Sequence, residues 1–163
     1  MLIIVVICAG ILGIIVGALF GGYYMGHKYC LKLVASNIQM DKYIAIIRLY
    51  DAWMMVNKNS LGIAEYLNNK GIYNIAIYGM DYRGVRLFHE LKDTSVNVEY
   101  GVDRNPPARI MGLSIYHPDE MKKESVDAVI VTAVFSFDAI KMDLENRGIT
   151  QVLALDDVIY GLL

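Results

Sequence analysis

The stretch NIAIYGMDYRGVRLFHEL, Asn74 to Leu91, decides the fold. Asn74–Tyr78 is short and almost wholly apolar, as a buried strand is. Gly79 ends it, and Tyr82–Leu91 reads as an amphipathic helix. Strand, glycine turn and helix in this order open a dinucleotide-binding unit. There the first glycine makes the tight turn, the second lets the backbone approach a pyrophosphate, and the third allows the helix to pack on the strand. Gly79 fills the first position and Gly84 the third, while Asp81 stands in the second. Gly79, Met80, Asp81 and Gly84 are therefore the expected cofactor-facing turn, with a carboxylate where phosphate should come close. Two like unit charges about 4 Å apart repel by about 4 kcal/mol at a protein surface. The same carboxylate suits a helix N-cap, a role that stabilises by about 1 kcal/mol.

Working outward, strands and helices alternate. Strand two is expected at about Val96–Val102 and ends in Asp103, about twenty residues beyond the turn. An acidic residue there binds the ribose hydroxyls of an adenine nucleotide; its plain alternative is a turn residue before Asn105-Pro106-Pro107. Arg104 follows it into the same expected crevice. Arg104–Arg109 reads as a loop, Leu113–Tyr116 as a short strand, and HPDEM as a helix start. DAVIVTA, Asp127–Ala133, is the fourth strand, and Thr132 at its end is expected to face the crevice at the carboxyl edge of the sheet. A helix ending at Gly148, a fifth strand at about Gln151–Ala154 and a last helix complete the chain. The fold class is α/β: a small Rossmann-like parallel sheet of about five strands with helices on both faces.

Ahead of this lie two further segments. The hydrophobic fraction of 56% is high for a soluble domain, and the excess sits at the N-terminus. Leu2–Met25 carries no charge and as a helix spans roughly 35 Å, enough for a bilayer core of about 30 Å. No Lys or Arg precedes the run, and it exceeds the h-region of a signal peptide, so an uncleaved anchor is expected. His27, Lys28 and Lys32 follow it. The positive-inside tendency then puts the N-terminus outside and the rest in the cytoplasm. Ala9, Gly13, Gly17 and Gly21 share one helix face, an arrangement that permits homo-oligomerisation through Gly13, Gly17 and Gly21. Leu31–Met55 repeats apolar residues at threes and fours and is an amphipathic helix. Ser60 is the expected cap of the short helix LGIAEYLNN. The domains are thus a transmembrane anchor, 1–26, an amphipathic linker helix, 27–57, and a Rossmann-like domain, 58–163.

Other chemistry is sparse. Net charge is −2 with scattered Lys and Arg, which excludes a nucleic-acid signature. Cys8 and Cys30 form no disulfide framework. Tyr66 and Lys70 match a Tyr-x-x-x-Lys spacing, but they precede the glycine turn and are read as coincidence. His117 sits in a loop beside the crevice with no orienting partner near it in sequence. No metal-ligand spacing or nucleophile elbow is present, so no catalytic residue is assigned.

IAIYGMDYRGVRLFHEL, VEYGVDRN, SIYHPDEM, DAVIVTAVFSFDAIKMDL and LDDVIYGLL together resemble a Rossmann-like module of bacterial cell-surface polysaccharide biosynthesis proteins. That module is similar to the nucleotide-binding domains of nucleotide-sugar epimerases and dehydratases. The resemblance covers residues 48–163 and departs from the family at Asp81. It implies NAD(P) or a nucleotide-sugar as ligand and polysaccharide-biosynthesis enzymes as partners. The expectation is a single-pass cell-membrane protein with an accessory or sensory nucleotide-binding domain. The alternatives are an NAD(P)- or nucleotide-sugar-dependent enzyme completed by oligomerisation, and a degenerate Rossmann scaffold for protein interaction.

Overall fold

The computed structural model describes every residue except 59–61 and 122–124 and the side chains of 2–9, 11, 12, 15, 57 and 58. The chain divides into two compact units, Met1–Ile46 and Ile47–Leu163. Helix α1, Leu2–Lys58, supplies all of the first and opens the second.

In the first unit the side chains described from residue 10 onward are exposed, apart from the half-buried Ile46. Tyr23 stacks on His27 with ring centres 6.5 Å apart, and Lys28 lies over Tyr24 at 5.9 Å. Among the described residues no helix is long and apolar enough to cross a membrane. The expected span at 2–25 is therefore not part of what the fold establishes. Most of its strongly apolar first half lies outside the described side chains. The Ser60 cap also lies outside the described residues; α2, Ile63–Asn69, is entered from Gly62 instead.

The second unit is built on one sheet. Its strands are β1 (Asn74–Tyr78), β2 (Asn97–Val102), β3 (Arg109–Ile110), β4 (Leu113–Tyr116), β5 (Ala128–Val131) and β6 (Val152–Ala154). They lie in the order β3-β4-β2-β1-β5-β6. All pairs are parallel except β3–β4. The expected sheet of about five parallel strands is thus present, extended by an antiparallel edge strand. Met111 (φ 52°) and Gly112 (φ 92°) make the two-residue turn that joins β3 to β4. Two positive φ angles are what a tight hairpin demands, and Met111 gives no hint of one in sequence.

The strands are apolar throughout because both faces are covered. Ile75 and Ile77 of β1 enter one core, with Ala128 and Ile130 of β5. Ala76 and Tyr78 enter the other, with Val129 and Val131. The first core is closed by α2, by α3 (Tyr82–Leu91), by α5 (Leu155–Tyr160) and by the last turns of α1. The second is closed by α4 (Phe137–Asn146), with Leu144 fully buried.

The last turns of α1 belong to this unit for a physical reason. Leu49, Ala52, Trp53 and Val56 recur at threes and fours and are all buried, the stripe of an amphipathic helix on a core. Trp53 is 2% exposed. Its indole N–H donates to Glu90 Oε2 of α3 at 2.6 Å, and its ring stacks on Tyr50. The folded unit therefore begins at Ile47 rather than near residue 58.

Asp127 ties the entry of β5 to that of β1. Its Oδ2 accepts from the amides of Tyr73 and Asn74 at 2.9 and 2.8 Å. These bonds favour the ionised form and hold the carboxyl below the usual range. A lowered folded value means the stabilisation is full above the unfolded value of about 4 and is lost as pH falls through the folded one. Two outcomes follow. Trp53→Ala lowers unfolding free energy by about 3–5 kcal/mol, measured by urea titration followed by circular dichroism. Asp127→Asn flattens the loss of melting temperature as pH falls below about 4, relative to the parent protein.

Candidate functional site

The carboxyl ends of β1, β2 and β5 surround a cleft of about 530 Å³. Its lining comes from three places. Tyr78, Gly79, Asp81 and Arg83 belong to the β1–α3 turn, and Asp103 and Arg104 follow β2. Ala133, Ser136, Ala139, Ile140 and Asp143 come from α4 and the turn before it. Neighbours of β1 on its two sides continue the chain in opposite directions across the sheet. The cleft therefore stands at the point where strand order reverses.

The turn is built from close approaches. Gly79 has φ +97°, a conformation that side chains strain to adopt. A Cβ on Gly84 would stand 2.1 Å from the Gly79 carbonyl oxygen, so the start of α3 lies directly against the turn. Both glycines occupy the places their spacing predicts.

The two carboxylates line the cleft and accept from backbone amides of the turn. Asp81 is the N-cap of α3: its Oδ1 accepts from the Arg83 amide at 2.9 Å, and the guanidinium of Arg83 pairs with the same carboxylate. The capping alternative is thus the observed one, with an ion pair added. Asp103 Oδ2 accepts from the Met80 amide at 3.0 Å, while its Oδ1 accepts from Asn105. The turn-residue alternative for Asp103 is observed together with a tie across to the glycine turn.

Three expected site residues lie outside the cleft lining: Gly84, which packs against the Gly79 carbonyl, Met80 and Thr132. Met80 offers its amide to Asp103, but its side chain is buried in the first core, over Gly101. Thr132 is fully buried, and its hydroxyl lies 2.5 Å from the Gly79 carbonyl and 3.3 Å from that of Tyr78. It clamps the turn from behind instead of facing the cleft, because the β5 end is covered by Ala133 and the turn itself. His117 does not line the cleft either. It caps the 3-10 helix Pro118–Glu120, with Nδ1 accepting from the Asp119 amide. Tyr66 and Lys70 pair with each other, the ammonium 4.7 Å from the ring centre, away from the cleft lining.

The wall given by α4 is absent from the sequence expectation. Ala133, Ser136 and Ala139 recur at threes, a run of small residues that leaves room beside the sheet edge; this is the one signal that marked it. Asp143 at the far side pairs with Arg147 at 2.9 Å. Burial, followed by the Asp143 charge, raises the Tyr78 hydroxyl above its ordinary value. That hydroxyl stays protonated at neutral pH and is not a base.

These residues do not fit a dinucleotide pyrophosphate at the turn. The amides of Gly79, Met80 and Arg83 already donate to Val102 O, Asp103 and Asp81. Among the described residues no group of His, Cys, Asp or Glu is placed to hold a metal ion.

A family model described as C2185-like, N-terminal, matches residues 71–152, half of the chain. The match runs from the entry of β1 to the first residue of β6 and so contains the turn, Asp103 and the α4 wall. No curated protein matches the chain.

Because the space at Gly84 is filled by backbone, Gly84→Ala forces α3 off the turn. The expected cost is about 3 kcal/mol, read as a lower urea midpoint at unchanged slope.

Proposed function

The chain belongs to the C2185-like, N-terminal family, and on that premise we propose a membrane-anchored accessory protein whose α/β unit carries a ligand-responsive cleft. The observation that carries this reading is the position of the cleft. Open α/β sheets bind ligands outside the carboxyl ends of their strands, where strand order reverses, and the 530 Å³ cleft lies there. That size lies within the range of small-molecule sites. A nucleotide or nucleotide-sugar is the ligand class that the place of the cleft at the carboxyl ends of the strands favours, with its phosphates away from the glycine turn.

The accessory role rests on how the cleft's ionisable groups are engaged. Asp81 is committed to Arg83, Asp143 to Arg147 and Asp103 to backbone amides. Tyr78 is held neutral. A general base needs a poised group within reach of substrate, and these side chains are spent on the fold. Anchoring is supported by the uncharged run Leu2–Met25 and the basic residues that follow it. The likeness to polysaccharide biosynthesis modules supports a place beside enzymes that assemble cell-surface polysaccharide on the cytoplasmic side. A second reading, a Rossmann-like scaffold that contacts protein without ligand, is favoured by the internally satisfied turn.

Two measurements test this. The full chain expressed in bacteria stays with membranes through carbonate washing, and deletion of residues 2–25 releases it; extraction of the full chain by carbonate sinks the anchor. In detergent, NAD, NADP or a UDP-sugar raises the melting temperature, and Arg104→Ala removes the rise. No rise with any of them leaves the scaffold reading.

A further inference from the structure

The glycine turn carries its own anion. A phosphate bound at such a turn takes hydrogen bonds from backbone amides at the start of the helix. Here the Arg83 amide donates to Asp81, the Met80 amide to Asp103 and the Gly79 amide to Val102 O. The cation on the same turn is engaged along one edge: Arg83 holds Asp81 through Nε and Nη2, while its buried Nη1 has no hydrogen-bond partner. Half of the Asp81 side chain remains exposed and lines the cleft as a negative surface. Asp103 adds a second carboxylate 3.0 Å from the Met80 amide. A phosphate entering here would displace an intramolecular carboxylate from the amide and guanidinium that hold it, and would face the charge it displaced.

We propose that Asp81 determines specificity in the cleft by excluding phosphate from the glycine turn. The exclusion stands on the turn alone. Its consequence for the ligand rests on the reading above, in which the cleft takes a nucleotide-class molecule. Such a ligand lies with an uncharged, hydroxyl-bearing part against Asp81 and Asp103. Its phosphates lie toward Arg104, which follows Asp103 and is exposed in the cleft lining. Carboxylates accept hydrogen bonds from hydroxyls and repel phosphates, so both parts of the assignment follow from one charge pattern.

The test uses the full chain in detergent and inorganic pyrophosphate without added metal, with unfolding followed by fluorescence of Trp53, the one tryptophan of the chain. Pyrophosphate leaves the melting temperature of the parent protein unchanged. In Asp81→Gly it raises the melting temperature by about 5 °C when its free concentration is about ten times its dissociation constant. The rise shrinks as salt is added. Glycine is accepted at an N-cap with little loss, so this variant is expected to fold. Asp81→Asn keeps an acceptor for the Arg83 amide, removes the charge, and shows a smaller rise. A shift in the parent protein as large as in Asp81→Gly overturns the proposal, and so does a folded pair of variants that both fail to respond. Failure of NAD or a UDP-sugar to stabilise the parent protein bears on the ligand reading and leaves this result standing.

Discussion

The close contact between Gly84 of α3 and the carbonyl of Gly79 is the constraint on which the second unit depends. With 2.1 Å between that carbonyl oxygen and an imagined Cβ, only a residue without a side chain lets the helix start there. The direction in which α3 leaves the sheet follows from this approach. It places Asp81 and Arg83 at the rim of the cleft and carries Glu90 to the indole of Trp53. The same helix therefore sets one wall of the cleft and receives the last turns of α1.

Around this contact, polar groups from three strand ends close on one another. Thr132 from the end of β5 clamps the Gly79 carbonyl, Asp103 from beyond β2 takes the Met80 amide, and Asp81 takes that of Arg83. A buried or half-buried amide without an acceptor costs about 1–3 kcal/mol. A turn that awaits a phosphate bears that cost when empty. In this turn the amides of Gly79, Met80 and Arg83 already have acceptors from the protein itself. Its stability and its reluctance toward phosphate have the same origin.

Strand and helix positions were largely readable in advance, because apolar runs of four to six residues bounded by Gly, Asn and Asp have few other uses. β1, α3 and β4 lie at the predicted residues, and β2, β5 and β6 within one or two of them. The β3–β4 hairpin was not readable, since its turn is Met111-Gly112 and lacks the usual Asn or Asp. The periodicity of Leu31–Met55 marked a helix but not its buried face: of the apolar positions Ile47, Tyr50, Trp53 and Met54 only Trp53 is buried, and it lies with Leu49, Ala52 and Val56. The attachment of this helix to the α/β unit was not readable either, because a stripe of apolar residues does not say which surface it covers. Within the candidate site, the glycine spacing was enough to place Gly79 and Gly84 in one tight turn, and Gly79, Asp81 and Asp103 line the cleft beside it. Thr132 and the side chain of Met80 were misplaced, since a strand's residue numbers do not reveal which end-residue points into the core.

By itself the sequence determined the alternation of elements, the glycine turn, and an uncharged N-terminal run long enough for a bilayer. These are local properties: periodicity, backbone freedom and charge act over a few residues and need no partner. Tertiary structure decided what the acidic residues do. Asp103 meets Met80 across twenty-three positions and Thr132 meets Gly79 across fifty-three, distances at which no motif specifies a bond. Only when β2 and β5 lie on either side of β1 do these groups converge, and only then does Asp103 join Asp81, a cap two residues from its partner, at the glycine turn.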